Sequence, residues 1–291
     1  MNAAFTLTGI VGTGAMGRGI AQIAAQAGST VYLFDTKPGA VDAARTHLHG
    51  QWQRLADKGR IDAAQVPVLL GRLVPAASLR DLAACELVVE AIAERLDAKR
   101  ELLLELETIV APGAVLASNT SSLSITALAA ALAHPQRVAG FHFFNPVPLM
   151  KVVEVVAGLR TEAAVCARLA QYARAMGHTP VMAQDTPGFI VNHAGRGFGT
   201  EALRIVSEGV ADFATVDRIL RDQAGFKLGP FELMDLTALD VTHPAMESIY
   251  HQYYEEPRFR PSPITAQRLA GGLLGRKTGE ASTATWTARP R

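Results

Sequence analysis

The stretch TLTGIVGTGAMG, residues 6–17, decides the fold of this chain. A short apolar run, residues 6–11, leads directly into Gly12, Gly14 and Gly17, and helix-forming residues follow. This order is typical of a strand, a tight glycine turn that a pyrophosphate approaches closely, and a helix packed against the strand. The helix then presents its free N–H groups and positive dipole end to the phosphates. The stretch therefore predicts a dinucleotide-binding site.

Asp35 indicates which dinucleotide binds there. It ends the second predicted strand, 18 residues after Gly17. A carboxylate at this position binds the ribose hydroxyls and repels a 2′-phosphate. Lys37 lies close by and weakens that repulsion, but the acid still favours NAD over NADP. An ordinary glycine turn is the alternative, and the strand, helix and acid around the motif disfavour it.

The apolar pattern predicts an α/β fold. Short apolar runs alternate with helical patterns over the first 180 or so residues, which is typical of a mostly parallel Rossmann-type sheet with helices on both faces. Strands are predicted at residues 6–11, 30–34, 87–91, 115–118, 138–141, 151–156 and 181–183. Helices are predicted at residues 15–27, 39–58, 95–110, 123–133, 189–206, 216–224 and 231–239.

The strand pattern fades after Asp185-Thr186-Pro187-Gly188, a turn sequence that marks a domain boundary. We predict a Rossmann domain over residues 1–185 and a smaller all-α domain over residues 186–280. Residues 281–291 have neither helical nor strand periodicity, and we expect a disordered tail there.

Composition excludes several classes of protein. No apolar run reaches the roughly 18 residues that span a bilayer, and no basic segment precedes an apolar one at the N-terminus. A formal net charge of +1 argues against a nucleic-acid partner. Cys85 and Cys166 are isolated, so we expect buried, reduced thiols and a cytoplasmic protein. No metal site is predicted.

Two polar segments follow predicted strands. Residues 118–122 (SNTSS) come at the end of one strand, and residues 142–145 (HFFN) come directly after the next. Ligands of open parallel sheets bind at the carboxyl ends of the strands. Both segments are therefore expected to face the nicotinamide of the cofactor.

Glu154 is the one carboxylate in an otherwise nearly apolar predicted strand. Burying it is costly unless it is paired, and His142, twelve residues earlier, is the natural partner. The pairing would favour the protonated imidazole, as a general base requires. Alternatives remain open: Glu154 as an edge-strand charge facing water, His142 as an ordinary histidine, and the SNTSS run as a helix cap.

Together these stretches resemble the 3-hydroxyacyl-CoA dehydrogenase family, which includes the (S)-3-hydroxybutyryl-CoA dehydrogenases. The resemblance runs in chain order through residues 12–17, 88–92, 118–123, 142–148, 152–154, 185–192, 229–235 and 275–280. It implies a Rossmann domain followed by a helical domain, NAD as the cofactor and a short-chain acyl-CoA as the substrate.

The resemblance also implies roles for single residues. His142 takes the proton of the 3-hydroxyl group while hydride leaves C3 for NAD, and Glu154 orients the imidazole. Ser121 and Asn192 contact the substrate. Further cofactor contacts are implied for Asp35, Glu94, Lys99, Ser121, Asn145 and Lys277.

The CoA nucleotide requires cations, and the resemblance matches Lys58 to a lysine that meets CoA. Arg54 lies one helical turn earlier on the same face. A solvated basic helix face is the competing interpretation. The family commonly dimerises through its helical domain, which implies a homodimer here.

The chain departs from the family pattern at two places. Gly195, Gly197 and Gly199 fall in a predicted helix, where each costs about 1 kcal/mol relative to alanine, and the sequence after Glu280 lacks the family's aromatic ending. A shortened or non-catalytic NAD-binding relative, like the lens crystallins of this fold, is therefore an alternative. Related dehydrogenases that use a lysine on the interdomain helix are disfavoured, because residues 189–206 contain no lysine.

Overall fold

A computed structural model describes residues 5–279. The chain divides into two compact units between Phe189 and Ile190, shortly after the predicted boundary at Asp185. Glu280 and the tail predicted at residues 281–291 lie outside the described residues.

The first unit is built on one eight-stranded sheet. Its strands are β1 (Leu7–Val11), β2 (Thr30–Phe34), β3 (Leu73–Pro75), β4 (Leu87–Glu90), β5 (Val115–Ser118), β6 (Val138–Phe143), β7 (Val152–Ala157) and β8 (Thr179–Gln184). Their order in the sheet is β3-β2-β1-β4-β5-β6-β7-β8, and all neighbours are parallel except β6 and β7. The predicted mostly parallel, Rossmann-type fold is confirmed.

The helices of this unit are α1 (Ala15–Gln26), α2 (Ala40–Asp57), α3 (Gln65–Gly71), α4 (Leu96–Ile109), α5 (Ile125–Ala129) and α6 (Ala163–Ala175). Two apolar cores form, because residues that alternate along a strand point to opposite sides of the sheet. Val89 belongs to one core and its neighbour Val88 to the other. The continuous apolar strands are explained by this burial on both faces.

The end of β6 corrects the sequence prediction. The strand was expected to stop at Phe141, but it continues to Phe143, so His142 lies within the strand and not after it. The antiparallel partner β7 explains the extension, because it pairs His142 with Glu154 and Phe143 with Val153. Also not predicted were the three-residue strand β3, helices α3 and α6, and two helices of the second unit, at Leu239–Gln252 and Pro263–Ala270.

The second unit is helical, as predicted. Its α-helices are α7 (Val191–Ser207), α8 (Phe213–Asp222), α9 (Pro230–Thr237), α10 (Leu239–Gln252) and α11 (Pro263–Ala270). Leu203, Phe231 and Met246 are among the side chains that form its buried apolar core. No helix between residues 5 and 279 is long and apolar enough to cross a membrane.

Cys85 and Cys166 are free and buried, as predicted. Burial, reinforced by the nearby Glu86 carboxylate, raises the pKa of the Cys85 thiol to about 12. This thiol therefore stays protonated at neutral pH and is a poor nucleophile.

Helix α7 continues through all three of its glycines, and we expect two of them to cost stability. Gly195 and Gly197 are exposed, and a Cβ at either would meet nothing within 4 Å. Replacing either with alanine is expected to raise the free energy of unfolding by roughly 0.5–1 kcal/mol. Gly199→Ala is expected to gain less stability, because its Cβ would lie 2.9 Å from the terminal methyl group of Met234, which would have to shift. Urea unfolding would contradict this account if all three variants behaved alike.

Candidate active site

The glycines of the fingerprint turn serve different purposes. A Cβ on Gly12, which has a φ of +91°, would lie 2.7 Å from the Ala91 carbonyl oxygen. A Cβ on Gly17 would lie 1.8 Å from the Gly12 carbonyl oxygen. Both glycines are therefore required by the chain itself. Gly14 is the N-cap of α1, and a Cβ there would meet nothing within 4 Å, so its backbone is open to a ligand.

Asp35 lies beside this turn at the end of β2. Its carboxylate accepts hydrogen bonds from the Thr13 N–H (2.7 Å), the Thr13 hydroxyl (2.9 Å) and the Lys37 N–H (2.9 Å). Burial raises the pKa of the carboxyl, but these hydrogen bonds outweigh it and the pKa is lowered. A carboxylate has about four acceptor sites, so the charged group keeps capacity for a ribose hydroxyl.

A buried ion pair lies where β4 ends. Glu90 is fully buried, and both of its carboxylate oxygens accept hydrogen bonds from the Lys99 ammonium group, at 2.9 and 2.7 Å. Its carboxylate also accepts from the Ser118 hydroxyl at the end of β5. The pair therefore joins α4 to the ends of two neighbouring strands.

Glu94 fixes the SNTSS segment. One of its oxygens accepts from the Thr120 hydroxyl (2.7 Å) and from the Ser121 and Ser122 N–H groups (2.9 and 3.1 Å). Burial raises the pKa of Glu94, but Lys99, at 3.4 Å, and these hydrogen bonds lower it overall. The segment thus wraps a charged carboxylate. The capping alternative does not describe it, because Ser124, beyond the segment, caps α5.

Lys99 was expected to contact the cofactor. Its side chain is only 1% exposed, and its ammonium group is held by Glu90, Glu94 and the Ile92 carbonyl oxygen. The structure thus surrounds the ammonium group with protein oxygens. The observed contacts of Lys99 position the Glu94 carboxylate, and direct contact with a cofactor stays a prediction.

His142 and Glu154 meet across the antiparallel pair β6–β7. The His142 Nδ1 atom lies 2.6 Å from a Glu154 carboxylate oxygen. Glu154 is fully buried and His142 is 4% exposed, so the alternative of a water-facing Glu154 is wrong. Nε2 of His142 has no hydrogen-bond partner among residues 5–279. The imidazole is therefore anchored at one nitrogen and available at the other.

Neighbouring groups hold the imidazole in place. The rings of Phe144 and Phe189 pack edge-on against it, with centroid distances of 4.5 and 5.8 Å. Asn119 of the SNTSS segment accepts a hydrogen bond from the Phe143 N–H at 2.9 Å. The two polar segments singled out in the sequence are thereby connected at neighbouring strand ends.

The other predicted site residues are more dispersed. Asn145 is exposed just after β6. Asn192 lies in the first turn of α7 and Lys277 near the end of the described chain, and both belong to the second unit. The Lys277 ammonium group lies 2.5 Å from an Asp240 carboxylate oxygen. The predicted contacts of these three residues with ligands stay predictions.

Arg54 and Lys58, predicted to bind CoA, line one cavity of about 510 Å³ in the first unit. Two further cations, Arg60 and Lys151, line the same cavity together with Leu149 and several glutamine and proline side chains. Four cations and an apolar wall match a ligand that has both phosphates and an uncharged arm. Lys151 was not predicted, because folding brings it there from a distant part of the sequence, and Arg60 lies just beyond the predicted helix that ends at Lys58.

Glu90 was not predicted as a site residue. The signal was present, because Glu90 ends the apolar run Leu87–Val89 just as Glu154 interrupts another apolar strand. A lone carboxylate in a buried strand requires a partner.

No cluster of three or more His, Cys, Asp or Glu side chains suited to a metal ion occurs among the residues that the structure describes.

The open backbone at Gly14, the charged Asp35 and the anchored imidazole of His142 fit a nicotinamide cofactor and an acid–base group on one sheet. A Rossmann sheet with these groups defines an NAD-dependent dehydrogenase. Comparison with known proteins identifies the family. Residues 7–186 match the model of the 3-hydroxyacyl-CoA dehydrogenase NAD binding domain, and residues 188–284 match that of the C-terminal domain. The chain belongs to the 3-hydroxyacyl-CoA dehydrogenase family.

Similar proteins cover nearly the whole chain. A 3-hydroxyadipyl-CoA dehydrogenase of Escherichia coli K12 is 42% identical over 93% of this chain, but the chain spans only 57% of that protein's length. A probable 3-hydroxybutyryl-CoA dehydrogenase of Deinococcus radiodurans is 40% identical over 94% of the chain and 97% of its own length. The crystal structure of (S)-3-hydroxybutyryl-CoA dehydrogenase from Ralstonia eutropha superposes with a TM-score of 0.91 at 35% identity, covering 95% of this chain and 98% of that one.

The two kinds of glycine in the fingerprint turn predict different mutant phenotypes. We expect Gly17→Ala to lower stability, because its Cβ would overlap the Gly12 carbonyl oxygen. Gly14→Ala is expected to fold normally and to weaken NADH binding, since its Cβ occupies space left open for the cofactor. Thermal unfolding and NADH fluorescence titration of both variants test this. An unchanged NADH affinity of Gly14→Ala would contradict the assigned position of the pyrophosphate.

Proposed function

We propose that this protein oxidises short-chain (S)-3-hydroxyacyl-CoA to 3-oxoacyl-CoA with NAD and catalyses the reverse reduction, with 3-hydroxybutyryl-CoA as the reference substrate. The observation that carries this proposal is the buried contact between His142 and Glu154, which leaves Nε2 of the imidazole without a partner in the described chain. The relative from Deinococcus radiodurans, which the chain matches over nearly its full length, supports the choice of acyl chain.

The tautomer of His142 follows from its partner. An ionised Glu154 only accepts hydrogen bonds, so the imidazole donates through its Nδ1–H and carries its lone pair on Nε2. Nε2 removes the proton of the 3-hydroxyl group, and the Glu154 carboxylate stabilises the imidazolium that forms. When bound at the dinucleotide site, NAD would supply the acceptor for the hydride of C3. Proton and hydride thus leave the substrate for different acceptors, and a ketone remains.

The cofactor would be held by groups at the carboxyl ends of the strands. Gly12, Gly14 and Gly17 let the diphosphate approach the N-terminus of α1. Asp35 binds the adenosine ribose. We assign the remaining cofactor contacts to Glu94, Ser121, Asn145 and Lys277. Lys99 acts by fixing the Glu94 carboxylate, because its ammonium group already contacts both Glu90 and Glu94.

The substrate would be held at both of its ends. Arg54 and Lys58, together with Arg60 and Lys151, provide positive charge for the CoA phosphates, and the apolar side of their cavity suits the pantetheine arm. Ser121 and Asn192 contact the acyl group.

His142→Gln tests the base directly. We expect kcat with acetoacetyl-CoA to fall by roughly 10²–10⁴, because glutamine removes the proton-transferring group. NADH affinity should be almost unchanged, since His142 is not assigned a cofactor contact. NADH oxidation at 340 nm and NADH fluorescence measure the two quantities. His134→Gln is the matched control, because that histidine is exposed and is assigned no role.

The same assay separates the enzyme from its alternatives. A barely altered kcat in His142→Gln would show that the base is misassigned. A wild-type protein that binds NADH but turns over no 3-oxoacyl-CoA would favour the non-catalytic relative.

We also propose that the protein is a homodimer formed by its helical unit. Apolar side chains of that unit are exposed, including Ile219 (50%), Leu236 (54%) and Val241 (61%). Exposed apolar side chains that lie together in one patch mark an interaction surface, and we propose that this unit presents such a patch. The two buried, free thiols agree with a reducing compartment, and we place the protein in the cytoplasm.

Light scattering after gel filtration tests the homodimer. The expected mass is about twice the 30.9 kDa of one chain. Leu236→Glu should shift the protein toward the monomer, because it places a charge on the apolar surface. A wild-type protein that is monomeric at all concentrations would contradict the proposal.

A further inference from the structure

Arg196 of helix α7 is a cation without a counter-charge. Its guanidinium group pairs with no carboxylate among residues 5–279, whereas Arg204 of the same helix lies 3.6 Å from Glu201. Its Nε atom is shielded from solvent and has no hydrogen-bond partner. Burial lowers the pKa of this guanidinium group. Since arginine remains charged in proteins, this partly buried guanidinium group carries a charge that no carboxylate of the described chain balances.

The position of Arg196, close to Asn192 on helix α7, indicates that a bound substrate could supply the missing anion. Arg196 follows Asn192 by four residues, so the two share one helix face and are offset by about 6 Å along the axis. Asn192 is the residue assigned above to the acyl group. Gly195 and Gly197 flank Arg196, and no side chain at these positions competes for the space around it.

We propose that Arg196 binds a carboxylate at the far end of the acyl chain, so that the substrate class includes 3-hydroxyacyl-CoA thioesters of six-carbon dicarboxylic acids. This inference rests on the proposed function. A guanidinium group binds a carboxylate through two parallel hydrogen bonds. Arg196 is therefore a determinant of specificity, and the chemistry at C3 is unchanged.

The length of such a chain agrees with the spacing on the helix. Three carbon–carbon bonds of about 1.5 Å each separate C3 from the terminal carboxyl carbon. With the reacting end at Asn192, the carboxylate reaches about one helical turn further, which is about 5.4 Å. A four-carbon acyl chain ends in a methyl group close to C3 and leaves Arg196 unpaired.

Two substrates of equal length test the proposal. 3-Oxoadipyl-CoA and 3-oxohexanoyl-CoA both have six-carbon acyl chains, and they differ in ending with a carboxylate or a methyl group. The measured quantity is the ratio of their kcat/KM values with NADH. Arg196→Gln is expected to lower this ratio roughly 10- to 100-fold, as for loss of a charge-assisted hydrogen-bonded pair, while 3-oxohexanoyl-CoA turnover changes less than about threefold. Arg204→Gln, on the same helix, should leave the ratio unchanged.

An unchanged ratio in Arg196→Gln, or an equal loss for both substrates, would overturn the proposal. If circular dichroism shows that Arg196→Gln does not fold, Arg196→Lys decides, because lysine keeps the charge but loses the two-pronged geometry. A severalfold lower ratio is expected for it, and an unchanged ratio would refute the role of Arg196.

The wild-type protein separates this proposal from the function on which it rests. Turnover of 3-oxohexanoyl-CoA without turnover of 3-oxoadipyl-CoA would refute the carboxylate site alone. Absence of turnover with both substrates and with acetoacetyl-CoA would refute the dehydrogenase activity itself.

Discussion

The candidate site depends on one cross-strand pair, His142 opposite Glu154. A fully buried carboxylate without a partner would cost several kcal/mol, so the pair constrains the register of β6 and β7. If either strand slipped by one residue, its side chain would turn to the opposite face of the sheet and the two groups would be separated. β6 and β7 are the antiparallel pair in this otherwise parallel sheet, and their pairing places Glu154 directly opposite His142. The position of the proposed base is therefore determined by the sheet and does not require a flexible loop.

The same principle recurs at the other strand ends. Glu90 at the end of β4 pairs with Lys99, Glu94 collects the N–H and hydroxyl groups of the SNTSS segment, and Asp35 at the end of β2 holds Thr13. Each carboxylate orders a backbone segment at the edge where parallel sheets bind ligands. Hydrogen bonds lower the pKa of Asp35, and the charge of Lys99 together with hydrogen bonds lowers the pKa of Glu94, so that both carboxylates stay charged at neutral pH. Arg196 is the exception, since its charge has no partner in the described chain.

Much of the fold and of the candidate site was predictable, because short sequence patterns encode it. The glycine spacing and Asp35 identified the cofactor domain, and the rule against unpaired buried charge connected Glu154 with His142. The same rule, applied to Glu90, would have found its ion pair. The end of β6 was mispredicted because its extension depends on pairing with β7, which no local pattern encodes. The cavity that joins Arg54 with Lys151 was likewise not predicted, since Lys151 is distant in sequence from the other three cations. Nothing in the sequence distinguished Arg196 from other helix arginines, because the lack of a carboxylate near it depends on the folded structure.

Glu154→Gln tests whether the buried charge of Glu154 makes His142 a base. Glutamine preserves the shape and a hydrogen bond to the imidazole but removes the negative charge. We predict that kcat for acetoacetyl-CoA reduction and for 3-hydroxybutyryl-CoA oxidation falls by roughly 10²-fold. NADH affinity should be unchanged and thermal stability should not fall, because no buried carboxylate is left unpaired. A kcat equal to that of the wild type in a folded, NADH-binding variant would contradict the claim.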